Sequence, residues 1–177
     1  MSKRDLKKYL AELNKEQLEE QIIELYEKFS PVKTYYDFAF NPKEDKLLQE
    51  CKVKISQEYF PIKKPQAKRR PKAKMRRSVA QKYIKHFISL GVDPFVIADV
   101  MLYNIEIAQT YSAQNPIKQE LFFKSMLNSF EQLVHFTISN GVLSEFKTRI
   151  VSVYQETMQQ KWKNSYEFEI LLEKIDQ

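Results

Sequence analysis

Nine of the fifteen residues at positions 63–77 (KKPQAKRRPKAKMRR) are Lys or Arg, and none is acidic. They are Lys63, Lys64, Lys68, Arg69, Arg70, Lys72, Lys74, Arg76 and Arg77. The chemistry open to such a run is charge neutralisation. Cationic side chains displace the counterions condensed on a nucleic acid, and that release supplies most sequence-independent affinity. The pairs Arg69-Arg70 and Arg76-Arg77 add bidentate grips on phosphate that lysine lacks. Pro65 and Pro71 favour extended chain and limit the entropy lost on binding. No aromatic residue lies inside the tract; Tyr59, Phe60 and Tyr83 flank it. Backbone binding to a duplex or a folded RNA is therefore favoured over stacking on single-stranded bases.

The remainder of the chain holds 20 basic and 23 acidic residues, so the net charge of +6 is carried by this one tract. A solvated linker would look similar, but so dense a run of one sign exceeds ordinary surface patterning. An anionic membrane surface is a rival target, without a lipidation signal or basic amphipathic helix to support it.

Other constellations are sparse. His86 and His135 are the only histidines. Glu131 and His135 stand at i, i+4, but no Glu-x-x-His pairs repeat and no Cys/His cluster has zinc spacing. Both histidines read as packed or half-exposed side chains, with no metal and no cofactor expected. Asp99, Tyr103, Glu106 and Thr110 form a polar stripe on an otherwise apolar helix. Two carboxylates in a cleft can do acid–base work. A solvent edge, or pairing with Lys82 or Lys85 from the preceding helix, is the simpler expectation. Cys51 lies on an apolar face with Leu48 and Ile55 and reads as core. There is no nucleophile elbow, phosphate-binding loop or dinucleotide fingerprint. No catalysis is expected.

The elements around the tract read as helices. Two glycines in 177 residues leave little for the tight turns of a sheet protein. One cysteine excludes an internal disulfide and points to a reducing compartment. The first ten residues lack the apolar core of a signal peptide, and residues 95–107 are too short and polar to span a bilayer. A cytoplasmic protein without membrane insertion is expected.

Ser2/Asp5 and Asn14/Gln17 have capping-box spacing. Leu6, Tyr9, Leu10 and Leu13, then Leu18, Ile22, Leu25, Tyr26 and Phe29, form two helical stripes. Residues 32–40 are aromatic-rich and fit either a short helix or an extended strap. Asn41-Pro42 is expected to start a third helix that Pro61 stops. Beyond the tract, Ser78/Gln81 is expected to cap a helix closed by Gly91. Asp93-Pro94 opens an apolar central helix, and Asn115-Pro116 a long one. Two more follow, seeded by Phe146 and Ile150 and by Phe168 and Leu171. The expected fold is all-α, an irregular bundle of about eight helices. It comprises an N-terminal three-helix part over residues 1–60, an exposed basic linker over 61–77 and a C-terminal bundle over 78–177, with 1–60 and 78–177 also able to form one compact unit.

The strings SKRDLKKYL, KEQLEEQIIELY, KTYYDFAFNPKEDKLL and RRSVAQKYIKHFISLGVDPFVIADVMLYNIEIAQ together resemble a bacterial family of small uncharacterised helical proteins, a domain of unknown function. The resemblance covers about the first two thirds of the chain. It implies a helical fold and a bacterial cytoplasmic setting, and supplies no activity and no site residues. Residues 6–29 are also similar in leucine spacing to the DNA-binding SAP motif. That motif's glycine-containing connector is missing, so the spacing reads as an ordinary amphipathic hairpin.

The functional expectation is a non-catalytic protein that binds DNA or structured RNA electrostatically through the tract. The alternative is a helical protein–protein interaction module in which aromatic residues 35–40 dock a partner and the tract is a solvated linker.

Overall fold

The computed structural model describes residues 2–63, 65–66, 68–69 and 71–175. Among them are nine helices and no strand. The contacts divide the chain into two units, Met1–Lys43 and Glu44–Gln177.

The first unit contains α1 (Lys3–Ala11), α2 (Lys15–Lys28) and α3 (Ser30–Phe40). Both expected capping boxes form. Asp5 N–H donates to Ser2 Oγ at 3.2 Å, and Ser2 N–H to Asp5 Oδ2 at 2.9 Å. Gln17 N–H donates to Asn14 Oδ1 at 2.8 Å, and Asn14 N–H to Gln17 Oε1 at 3.0 Å. Each box satisfies two N–H groups that the first turn leaves unpaired. The aromatic stretch resolves as a helix, α3, with Pro31 in its first turn. There the missing N–H of proline costs nothing. Tyr26 on α2 donates to Asp37 on α3 at 2.8 Å, and Tyr36 stacks on Phe40. None of the three helices has a buried side chain.

The second unit contains α4 (Glu44–Tyr59), α5 (Arg77–Leu90), α6 (Pro94–Gln114), α7 (Glu120–Ser139), α8 (Leu143–Gln159) and α9 (Ser165–Glu173). Helix α6 is apolar on nearly every face, and α4, α5, α7 and α8 all pack on it. Its Val100, Leu102, Ile105 and Ala108 are fully buried, as are Phe130, Leu133, Ile150 and Phe168 from α7, α8 and α9. The buried Gln109 is paired within this core: its Nε2 donates to the Val153 carbonyl at 2.7 Å and to Thr157 Oγ1 at 2.9 Å. Helix α4 belongs here because Cys51, Ile55 and Tyr59 are core residues at 0–2% exposure. The packing boundary thus falls at Lys43/Glu44, whereas the sequence reading drew its division at the basic tract.

Three expected helix starts are displaced. Asn41 caps the end of α3, its N–H donating to the carbonyls of Asp37 and Phe38, and α4 starts at Glu44. Asn115 likewise ends α6, with its amide on the Tyr111 carbonyl at 2.9 Å, and α7 begins only at Glu120. Asparagine serves either helix end, so Asn-Pro marks a boundary without saying which side is helical. Helix α5 starts at Arg77 without a side-chain cap, and Gln81 bonds to Gln132 on α7 instead of closing a box with Ser78. Asp93 does cap α6, accepting from Phe95 N–H at 2.7 Å.

Helices α5, α7 and α8 end in one motif. A residue of positive φ follows each: Gly91 and Gly141 at 70°, Lys161 at 54°. The next N–H reaches back to the carbonyl five residues earlier, as from Val92 to Phe87, Val142 to Thr137 and Trp162 to Thr157. At the third site a lysine holds a conformation that favours glycine. Lys161→Gly should stabilise the protein by about 1 kcal/mol in urea unfolding. Phe130→Ala should cost about 3–5 kcal/mol, because a filled core position becomes a cavity. Phe40→Ala, at 84% exposure, should stay within about 0.5 kcal/mol.

Candidate nucleic-acid interface

The chain leaves α4 at Phe60 and returns to the same helix end fourteen residues later. There the Glu58 carbonyl accepts from Lys74 N–H at 2.9 Å and from Met75 N–H at 3.1 Å. Met75 makes this turn at φ 52°, a conformation costly for a side chain with a Cβ. The Glu58 carboxylate then takes the Arg76 guanidinium in both forks, Nε to Oε2 at 2.9 Å and Nη2 to Oε1 at 2.8 Å. Hydrogen bonding from Arg76 outweighs the opposing effect of burial and holds Glu58 below the usual glutamate pKa. Arg77 reaches across to α7, with Nε on Ser129 Oγ at 2.9 Å and Nη2 on Gln132 Oε1 at 2.9 Å. Its partners are neutral, and burial lowers its pKa.

The basic tract is therefore a loop closed at its neck. Two of its nine cations, Arg76 and Arg77, face the protein and hold the closure. Lys63, Lys68, Arg69, Lys72 and Lys74 are exposed. Lys64 and Arg70 lie outside the described residues.

The flanking aromatics separate. Tyr83 packs along α5 against Phe87. Tyr59 and Phe60 meet Tyr111 from the last turn of α6, with ring centroids 6.0 and 5.6 Å away. Beside them is a cavity of about 480 Å³ lined by Phe60, Tyr111, Met75, Lys72, Gln114 and Gln119, among others. A second cavity, of about 530 Å³, has Lys63, Lys72 and Lys74 on its walls. The two share Pro61, Pro71 and Lys72. The sequence reading missed Tyr111, which lies 51 residues beyond Phe60. The one available signal was its position at the polar end of the apolar helix.

The polar stripe on α6 is an ion-pair array. Asp99 accepts from Lys52 of α4 at 2.6 Å and from Arg149 of α8 at 2.7 Å, and Arg149 also grips Glu106 at 2.8 Å. Burial opposes ionisation of Asp99, and the hydrogen bonds from Lys52 and Arg149 override it, leaving its pKa low. The expected partners Lys82 and Lys85 are exposed on α5; α6 is flanked at this stripe by α4 and α8. His86 and His135 are both exposed. Among the described residues no three His, Cys, Asp or Glu side chains are grouped as metal ligands, and no helix is long and apolar enough to cross a membrane. The Cys51 thiol is buried, which pushes its pKa up to about 12.

The model of a family of unknown function (DUF6155) matches residues 1–176, and the chain belongs to that family. The match extends beyond the first two thirds of the chain on which the resemblance was read. No curated protein and no solved structure matches the chain.

Because its folded pKa is depressed, Glu58 adds stability that is fully present above the ordinary glutamate value of about 4.3 and is lost as pH falls through the folded value below it. Thermal melts of wild type and Arg76→Gln should therefore differ most above that value and converge at more acid pH. Parallel melting curves across the whole range would show that the neck ion pair does not hold the loop.

Proposed function

We propose that this protein binds nucleic acid through the basic loop, electrostatically and without catalysis. One observation carries the reading. Lys63, Lys68, Arg69, Lys72 and Lys74 are exposed on a loop whose neck is fixed to α4 through Glu58 and to α7 through Arg77. Anchoring both ends limits the conformational entropy that binding must remove. The cations that close the neck are not needed for phosphate, and those left outside are free to displace counterions. Contacts of this kind position a backbone and carry little sequence information.

A second reading has its own observation. Helices α1 to α3 bury no side chain, and Ile23, Tyr35 and Phe40 on them and Phe29 between α2 and α3 are exposed. An apolar surface of that kind favours a protein partner, with the loop as a solvated link.

Fluorescence anisotropy with a labelled DNA duplex and a structured RNA separates the two. With the five exposed cations engaged on a DNA duplex, log K should fall with log salt at a slope of about −4.5. Changing those five to Gln should abolish binding at moderate salt, while Lys82→Gln on α5 should leave it intact. Equal binding by the five-fold Gln variant would overturn the nucleic-acid reading and leave the helical surface as the place to seek a partner.

A further inference from the structure

We infer that the paired cavities at the loop's neck form a site for one unpaired nucleotide, so that the preferred ligand is a single strand. This rests on the nucleic-acid reading and narrows it. The first cavity has the surfaces a base needs. Phe60 and Tyr111 are half-buried and packed edge to face at 5.6 Å, and the buried Tyr59 backs them. A base has a π-face whatever its identity, so such rings stack bases with little sequence preference. Gln114, Asn115 and Gln119 line the same cavity. Their amides can donate to and accept from the edge of a splayed base. The volume of about 480 Å³ falls within the span of about 300–1,000 Å³ typical of small-ligand sites.

The second cavity has the charge a phosphate needs. Lys63, Lys72 and Lys74 line it, and Lys72 belongs to both walls. Glu58 also lines it, but its carboxylate is neutralised by the bidentate Arg76. A base in the first cavity thus has its phosphate beside cations in the second. A base held in a duplex stack cannot enter the first cavity without being flipped out, which costs a few kcal/mol in unstacking and unpairing. The sequence reading set stacking aside because no ring lies inside the tract; folding brings the rings to the tract's neck, one of them from α6.

The test uses the full chain with a fluorescein-labelled, non-self-pairing single strand of about 15 nucleotides, and the duplex it forms with its complement. Phe60→Leu and Tyr111→Leu keep apolar bulk and remove the ring. Each should weaken single-strand binding about tenfold and leave duplex binding unchanged, and Phe60→Tyr should restore the affinity. Because a ring exchange could also disturb packing, wild type is examined separately by photocrosslinking the same strand carrying 5-iodouridine. The crosslink should map to the peptide containing Phe60 or the one containing Tyr111. Duplex binding that depends on the loop cations, with single-strand binding insensitive to both Leu variants and crosslinks elsewhere, would overturn this inference and leave the electrostatic reading standing. No binding of either probe by wild type at low salt would overturn both.

Discussion

A helix buried along most of its length has to be surrounded, and α6 imposes that demand on most of the second unit. Four helices cover it, and the few polar groups it carries are met where they fall. Gln109 is answered by α8, while Asp99 and Glu106 are answered by Lys52 and Arg149. The charged stripe lets one helix be apolar nearly all round and still receive α4 and α8 in fixed registers. A buried or half-buried ion pair offers little net stability against its desolvation. Its contribution is a penalty on any register that would leave Asp99 unpaired. The same packing places Glu58 of α4 beside the start of α5.

The two units differ in what supports their helices. In the second, apolar burial does so. In the first, helices of 9 to 14 residues have no buried side chain. Isolated helices of that length are marginal in water. Their support within the unit includes two capping boxes, the Gln21–Tyr9 hydrogen bond between α1 and α2 and the Tyr26–Asp37 hydrogen bond between α2 and α3.

Much of this was legible in the sequence, because helix periodicity and proline placement are local. Ser2, Asn14 and Asp93 act as the caps their spacing suggested, and Gly91 closes α5. Asn41 and Asn115 were read as caps of following helices but close the preceding ones through carbonyls within four residues, a choice that asparagine leaves open. At Ser78 the deciding partner was distant, since Gln81 bonds to Gln132. The basic tract was visible as composition. Its division of labour was not, since Arg76 is committed by Glu58 eighteen residues earlier and Arg77 by Ser129 and Gln132 more than fifty residues later. Tyr111 joined the site only through the packing of α6 on α4.

The neck also makes the loop dispensable as a covalent link. Were a trypsin-like protease to cut at Lys68 or Arg69, the two fragments would not be free to part. Cys51, Ile55 and Tyr59 would remain seated in the core, and the Glu58–Arg76 pair would span the break. The chain is in this sense built as a complementing pair of fragments. The loop between them can change in length and composition at little cost to the bundle.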